Sequence, residues 1–253
     1  MKKDNSMHHV ENQREKDLDY SVNLNQLWDE SSGENIDKLR AFARHVPYTE
    51  LSKFVLKYEL FKKIVNTNGS IIECGVFNGN GLFTWATLSS ILEPVNHTRK
   101  IIGFDTFEGF PSIDKKDLSD RNTLLKEGGL KSNSFDDIKM AVDVFDKIRP
   151  LGHISKIQLI KGDATKTIPE FLEKNKHLVT ALLYLDFDIY TPTKTAIESF
   201  IKTMPKGSMI VFDELNIENW PGETIAVSET LGINNLRIKR FNFFPQISYA
   251  IIE

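Results

Sequence analysis

Cysteine is nearly absent from this sequence: Cys74 is the only one in 253 residues, so an internal disulfide framework is excluded. Long apolar runs are missing too. None approaches the roughly 20 residues that a membrane span needs, and the leader MKKDNSMHHVENQREKDLDY has no apolar core long enough for a signal peptide. The expected location is the cytoplasm, with no membrane partner. An excess of one charge is also lacking, with a net charge of -3 and a pI near 6.1. Lys and Arg are scattered among acids rather than gathered in a stripe, which argues against a nucleic-acid partner. His8 and His9 lie in the polar leader and read as solvated rather than metal-binding.

What is present is a composition of 40% hydrophobic and 26% charged residues, suited to one globular domain with peripheral additions. Residues 1–20 are expected to be a polar, flexible N-terminus. Apolar residues then recur at helical spacing, at Ile36, Leu39, Phe42 and Val46 and again from Leu51 to Val65, which predicts a helical extension over 21–68. From 69 to 253, β-rich runs alternate with helical stretches. Strands are expected at 70–76, 100–105, 156–162, 179–186, 208–213, 236–243 and 247–252. Helices are expected at 81–92, 135–148, 168–174, 193–203 and 223–231. The alternation predicts a mostly parallel α/β sheet with helices on both faces. The last two strands flank a turn near Pro245 too short for a parallel crossover, so the final strand runs antiparallel. Residues 112–133 lack periodicity and carry much charge, as expected of a lid-like insertion or a disordered loop.

Ligands of an open parallel sheet bind beyond the carboxyl ends of its strands, and here those ends are acidic. They carry Glu73 with the turn "IIECGVFNGNG", Asp105, Asp163, Asp186 with Asp188, and Asp213 with Glu214. The glycines at 75, 79 and 81 do not have the G-x-G-x-x-G spacing of a dinucleotide turn. Any one acid alone reads as a helix N-cap or an acidic rim. Together, on strands about 5 Å apart, they would repel and raise one another's pKa, so something positive is expected among them. Near the first three strands, Glu73, Asp105 and Asp163 suit S-adenosylmethionine: a cationic amino-acid end, a ribose diol and an exocyclic amine. Near the other two, Asp186, Asp213 and Glu214 offer oxygen ligands to a hard cation such as Mg2+. Asp188 would share the face of Asp186 if the strand continued.

In order, "IIECGVFNGNG", "GFDTFEGFP", "KGDATKTIP", "LLYLDFDIYTPTKTAIE" and "GSMIVFDEL" resemble the macrocin O-methyltransferase (TylF-type) family over about residues 69–227. The resemblance implies a Rossmann-like class I methyltransferase fold, a seven-stranded sheet with an antiparallel last strand and extra N-terminal helices. It implies S-adenosylmethionine and Mg2+ as cofactors and a sugar or glycoside hydroxyl as acceptor. Cofactor-binding positions would be Glu73, Gly75, Val76, Phe77, Gly79, Asp105, Thr106, Phe107, Asp163, Ala164 and Asp186. Metal ligands would be Asp186, Asp213 and Glu214, and Asp188 would be the general base. The chain departs from many relatives in having Phe187 where they have glycine and Glu214 where they have aspartate. Some relatives use a histidine base, for which His97 and His153 are the candidates. Rival readings are a metal-dependent hydrolase using the same carboxylates and a non-catalytic protein that keeps the cofactor pocket. The apolar faces of the leading helices suit a second copy of the chain as well as the core.

Overall fold

Short runs of Ile, Leu, Val and Phe build the strands β1 Ser70–Cys74, β2 Ile101–Asp105, β3 Ile157–Lys161, β4 Thr180–Leu185, β5 Met209–Phe212, β6 Lys239–Phe241 and β7 Phe244–Ile251. The computed structural model describes residues 20–119 and 122–253. The strands form one sheet in the order β3-β2-β1-β4-β5-β7-β6. The first five are parallel, and β7 pairs antiparallel with both β5 and β6. This is the expected mixed seven-stranded arrangement. The order reverses at β1 and β4, where the crevice for ligands opens.

Alternation along the strands sends side chains to two separate cores. Ile71, Tyr184 and Val211 face one side, under helices α4 Tyr48–Ile64, α5 Asn80–Leu92 and α6 Phe135–Ile148. Ile72, Leu183 and Ile210 face the other, under α7 Ala164–Lys174, α8 Tyr190–Phe200 and α9 Pro221–Thr230. β1, β4 and β5 are buried along their whole length, as central parallel strands covered on both faces should be.

The chain forms two compact units that divide between Lys53 and Phe54. The first holds α1 Tyr20–Glu30, α2 Asn35–Arg40 and α3 Phe42–His45. There Lys38 donates a hydrogen bond to the Trp28 carbonyl, and His45 sets its ring edge-on to Trp28 at 5.2 Å. The expected boundary at 68 is therefore displaced into α4. The reason is packing: Leu56, Leu60, Phe61 and Ile64 are fully buried in the sheet's first core. The polar stretch predicted for 1–20 lies outside the described residues apart from Tyr20.

Local chemistry shifts other boundaries. α7 begins four residues before the expected 168, because the Asp163 carboxylate caps it by accepting from the Thr165 N–H at 3.0 Å. The hairpin turn falls at Asn242 and Phe243 rather than at Pro245, which sits in β7 next to an irregular register. A proline in a strand is accommodated at such an irregularity because no ladder N–H is required of it.

The segment 112–133 contains a short 3-10 turn, Lys115–Asp117. Asp117 is only 1% exposed and accepts the Tyr190 N–H at 2.6 Å. Lys116 donates to Glu229 and to the Tyr190 hydroxyl, and Asn122 donates to the Asn219 carbonyl. Leu124, Leu125 and Leu130 pack on Phe110, Ile189 and Trp220. The described part of the insertion is thus anchored to the connections that leave β2, β4 and β5 at their carboxyl ends.

Candidate active site

The glycine turn is shaped by two close approaches. A Cβ at Gly75, where φ is +98°, would lie 1.8 Å from the carbonyl oxygen of Asp186. The turn after β1 is therefore pressed against the turn after β4, and the Asp186 N–H donates to the Cys74 carbonyl at 2.8 Å. A Cβ at Gly81 would lie 1.8 Å from Glu73 Oε1, so the absent side chain is what admits the Glu73 carboxylate. Glu73 is 2% exposed, and its Oε2 has no hydrogen-bond partner. Burial pushes its pKa up to about 8, opposed by nearby Lys57 and reinforced by Asp105 and Asp213.

Asp105 holds this turn to the next one. Its Oδ2 accepts the N–H groups of Val76 and Phe77 at 2.7 and 2.8 Å, and its Oδ1 accepts that of Phe107 at 2.6 Å. Three of its four acceptor positions are filled, which leaves one on Oδ1. Phe77 and Phe107 are held with φ of +50° and +58°, strain of about 1–3 kcal/mol each that the surrounding bonds must offset. Phe107 is buried against Phe135, with ring centroids 5.1 Å apart. Thr106 donates to the Gly109 carbonyl at 2.6 Å and shapes its own turn. Asp163 spends Oδ1 on capping α7, and Ala164 is buried.

The carboxylates after β4 and β5 crowd one another. β4 ends at Leu185 and Asp188 adopts φ +62°, so Asp188 does not share a face with Asp186 through strand alternation. The turn brings the pair together instead. Burial first and Asp213 second raise the pKa of both. Asp213 accepts the Tyr184 hydroxyl. The Glu214 N–H donates to Glu223 Oε1 at 2.9 Å, while Gln246 donates weakly to Glu214 Oε1 at 3.4 Å. Oε2 of Glu214 and Oε2 of Glu223 are buried without partners. Burial, with Asp213 and Asp188, pushes Glu214 up to about 9, and burial and Asp213 also raise Glu223.

Among the described residues, no three His, Cys, Asp or Glu side chains converge as a metal cage. The donor chemistry nevertheless fits a hard cation: Asp186, Asp213 and Glu214 present only oxygen, one of those oxygens is buried and unpartnered, and a cation would relieve their repulsion. His97 and His153 lie in the loops that enter β2 and β3, at the amino ends of the strands. They are therefore on the side of the sheet opposite the acids and cannot serve there as base.

Lys57, Asp117, Tyr184 and Glu223 complete the surroundings and were not foreseen. Lys57 carried a signal: it is the one cation on the buried face formed by Leu56, Leu60, Phe61 and Ile64. The other three meet their partners only through folding, and no local motif marks them.

Residues 57–230, more than half of the chain, match the family described as Macrocin-O-methyltransferase (TylF). The chain belongs to that family. It is accordingly an S-adenosylmethionine-dependent O-methyltransferase, which sets aside the hydrolase and non-catalytic readings. The crystal structure of CalS11, a calicheamicin methyltransferase, superposes on this TylF-family chain with a TM-score of 0.90 at 28% identity, covering 94% of this chain and 93% of that one. The apo structure of CalS11, described as a TDP-rhamnose 3'-O-methyltransferase, gives 0.82 at 28% identity with 94% and 95% covered. The O-methyltransferase NovP shares the fold, with a TM-score of 0.62 at 14% identity and 79% of each chain covered. No curated protein sequence matches the chain. Among the described residues, no helix is long and apolar enough to cross a membrane.

Proposed function

We propose that this TylF-family enzyme methylates a hydroxyl group of a sugar or glycosylated metabolite, using S-adenosylmethionine and Mg2+. The acceptor class is supported by the likeness to CalS11 along nearly the whole chain. The observation that carries the site assignment is the division of the carboxyl edge. One half offers a buried, unpartnered carboxylate oxygen beside a glycine turn, at Glu73; the other carries Asp186, Asp213 and Glu214 after β4 and β5, where Asp213 raises the pKa of both others.

In this reading Glu73 accepts hydrogen bonds from the cofactor's ammonium. The remaining acceptor position of Asp105 takes a ribose hydroxyl, and Asp163 Oδ2 takes the exocyclic amine. The turns at 75–79 and 105–107, with their positive-φ residues fixed by Asp105, shape the wall against which the nucleoside lies. Asp186, Asp213 and Glu214 would hold Mg2+. When bound, the ion supplies Lewis-acid polarisation and a template for the acceptor hydroxyl. The acceptor oxygen attacks the methyl carbon as the carbon–sulfur bond breaks, and S-adenosylhomocysteine leaves. Asp188 takes the hydroxyl proton. Much of the rate comes from holding oxygen, carbon and sulfur in line.

Asp188→Asn tests this assignment fairly, because asparagine tolerates the left-handed backbone at that position. The variant should lose turnover while its affinity for S-adenosylhomocysteine stays within about twofold of wild type. A variant that keeps most of its methyl transfer to nucleoside-diphosphate sugars removes Asp188 from the base role.

A further inference from the structure

Lys57 is the buried cation nearest the glycine turn and no motif accounts for it. It is 7% exposed on α4. Its ammonium lies 3.9 Å from the Tyr184 ring centroid and 5.2 Å from that of Trp85. Its Cε and Glu73 Oε1 crowd the same point before Gly81, at 3.2 and 1.8 Å from the Cβ position there. Glu73 and Asp186 act on this ammonium electrostatically, yet among the described residues neither forms a close ion pair with it. A buried ammonium is costly unless it is paired, and two aromatic faces compensate only in part.

Opposite it, Glu73 keeps its own unpartnered oxygen. Beside both, the 13-residue helix α5 opens at Asn80, and a helix N-terminus favours an anion. One buried carboxyl group and one buried ammonium thus lie beside the same glycine, Gly81. That arrangement is complementary to the two charges of a free α-amino acid group.

We propose that Lys57 receives the α-carboxylate of the cofactor's methionine end, while Glu73 receives its ammonium; this rests on the S-adenosylmethionine reading given above. Lys57 is then a ligand-binding residue supplied by the helix that precedes the sheet. It sets the specificity for a cofactor that retains its amino-acid end. The opposing account makes Lys57 only an internal counter-charge for Glu73 and Asp186, with no direct hold on the ligand.

Calorimetric titration of wild type, Lys57→Met and Lys57→Arg with S-adenosylhomocysteine and with 5'-methylthioadenosine separates the two. The second ligand keeps the nucleoside and sulfur but has no amino-acid end. A charged hydrogen bond is worth about 1.5–3 kcal/mol, so Lys57→Met should weaken S-adenosylhomocysteine by about ten- to a hundredfold. Methylthioadenosine should stay within about twofold, and Lys57→Arg should retain most of the S-adenosylhomocysteine affinity. Equal weakening of both ligands, or of neither, overturns the assignment. Should Lys57→Met fail to fold, the decarboxylated analogue of S-adenosylhomocysteine titrated into wild type gives the same answer. A loss similar to that predicted for the variant supports a carboxylate contact; no loss contradicts it. Failure of wild type to bind S-adenosylhomocysteine at all is a separate outcome, which removes the cofactor reading and this assignment together.

Discussion

Asp117 accepts the backbone N–H of Tyr190 at 2.6 Å, and Tyr190 stands two residues beyond Asp188. The contact ties the insertion at 112–133 to the turn that carries the proposed base. Gly222 closes the junction from the other side: a Cβ there would lie 2.1 Å from Asp117 Oδ1 and 2.6 Å from the Tyr190 nitrogen. The backbone at Asp188, with φ +62°, is thus braced by a residue distant in sequence.

Loss of that brace should appear in turnover before it appears in cofactor binding. Asp117→Ala leaves the Tyr190 N–H buried and unpaired, a cost of about 1–3 kcal/mol. It also frees the turn, so kcat should fall by about tenfold or more, with S-adenosylhomocysteine affinity little changed. Steady-state kinetics beside calorimetry check this. An unchanged kcat in a folded variant argues that the turn holds itself.

Glu73 should make the cofactor-free protein less stable as pH rises. Its folded-state pKa of about 8 lies above the ordinary value of 4.5. The stability it contributes is therefore full below pH 4.5 and is lost progressively toward pH 8, by an amount on the order of 4 kcal/mol. Glu73→Gln removes this ionisation. Its thermal midpoint should decline less between pH 5 and 8 than that of wild type, while its affinity for S-adenosylhomocysteine drops. Parallel midpoint curves for the two proteins would show that Glu73 is ionised and compensated in the folded state.

Arg99 tests the scaffold apart from the site. Its side chain is 2% exposed and pairs with Glu93 at 2.7 Å. It also donates to the carbonyls of Ile64, Thr67 and Gly69, clamping the end of α4 to the entry of β1. Arg99→Met strands a buried carboxylate and should cost about 3–5 kcal/mol, read as a lower midpoint in urea. Changing Glu93 to Gln in the same chain should recover part of the loss. A midpoint unmoved by Arg99→Met contradicts the clamp.

The central strands were legible because an apolar run such as "TALLYL" buried on both faces has few alternatives to a parallel strand. The acids at the strand ends were legible for the same reason, since strand ends fix where the carboxyl edge lies. Less was visible where a single contact decides the outcome. Asp163 begins α7 early through one cap, and the hairpin turns at Asn242 because Pro245 fits an irregular register in β7. Asp188 was placed by strand alternation, but the strand stops first and a left-handed residue re-aims it. The brace at Asp117 and the bonds from Asp105 to the turn after β1 join segments far apart in sequence. No periodicity encodes such partners.

The most direct test of the account is calorimetric titration of the purified protein with S-adenosylhomocysteine, alongside magnesium titration of wild type and Asp186→Asn. The account predicts a nucleoside site in wild type and a magnesium site that Asp186→Asn abolishes. A magnesium site undiminished in Asp186→Asn, or no response to magnesium in wild type, would contradict the assignment of the oxygen cluster at Asp186, Asp213 and Glu214.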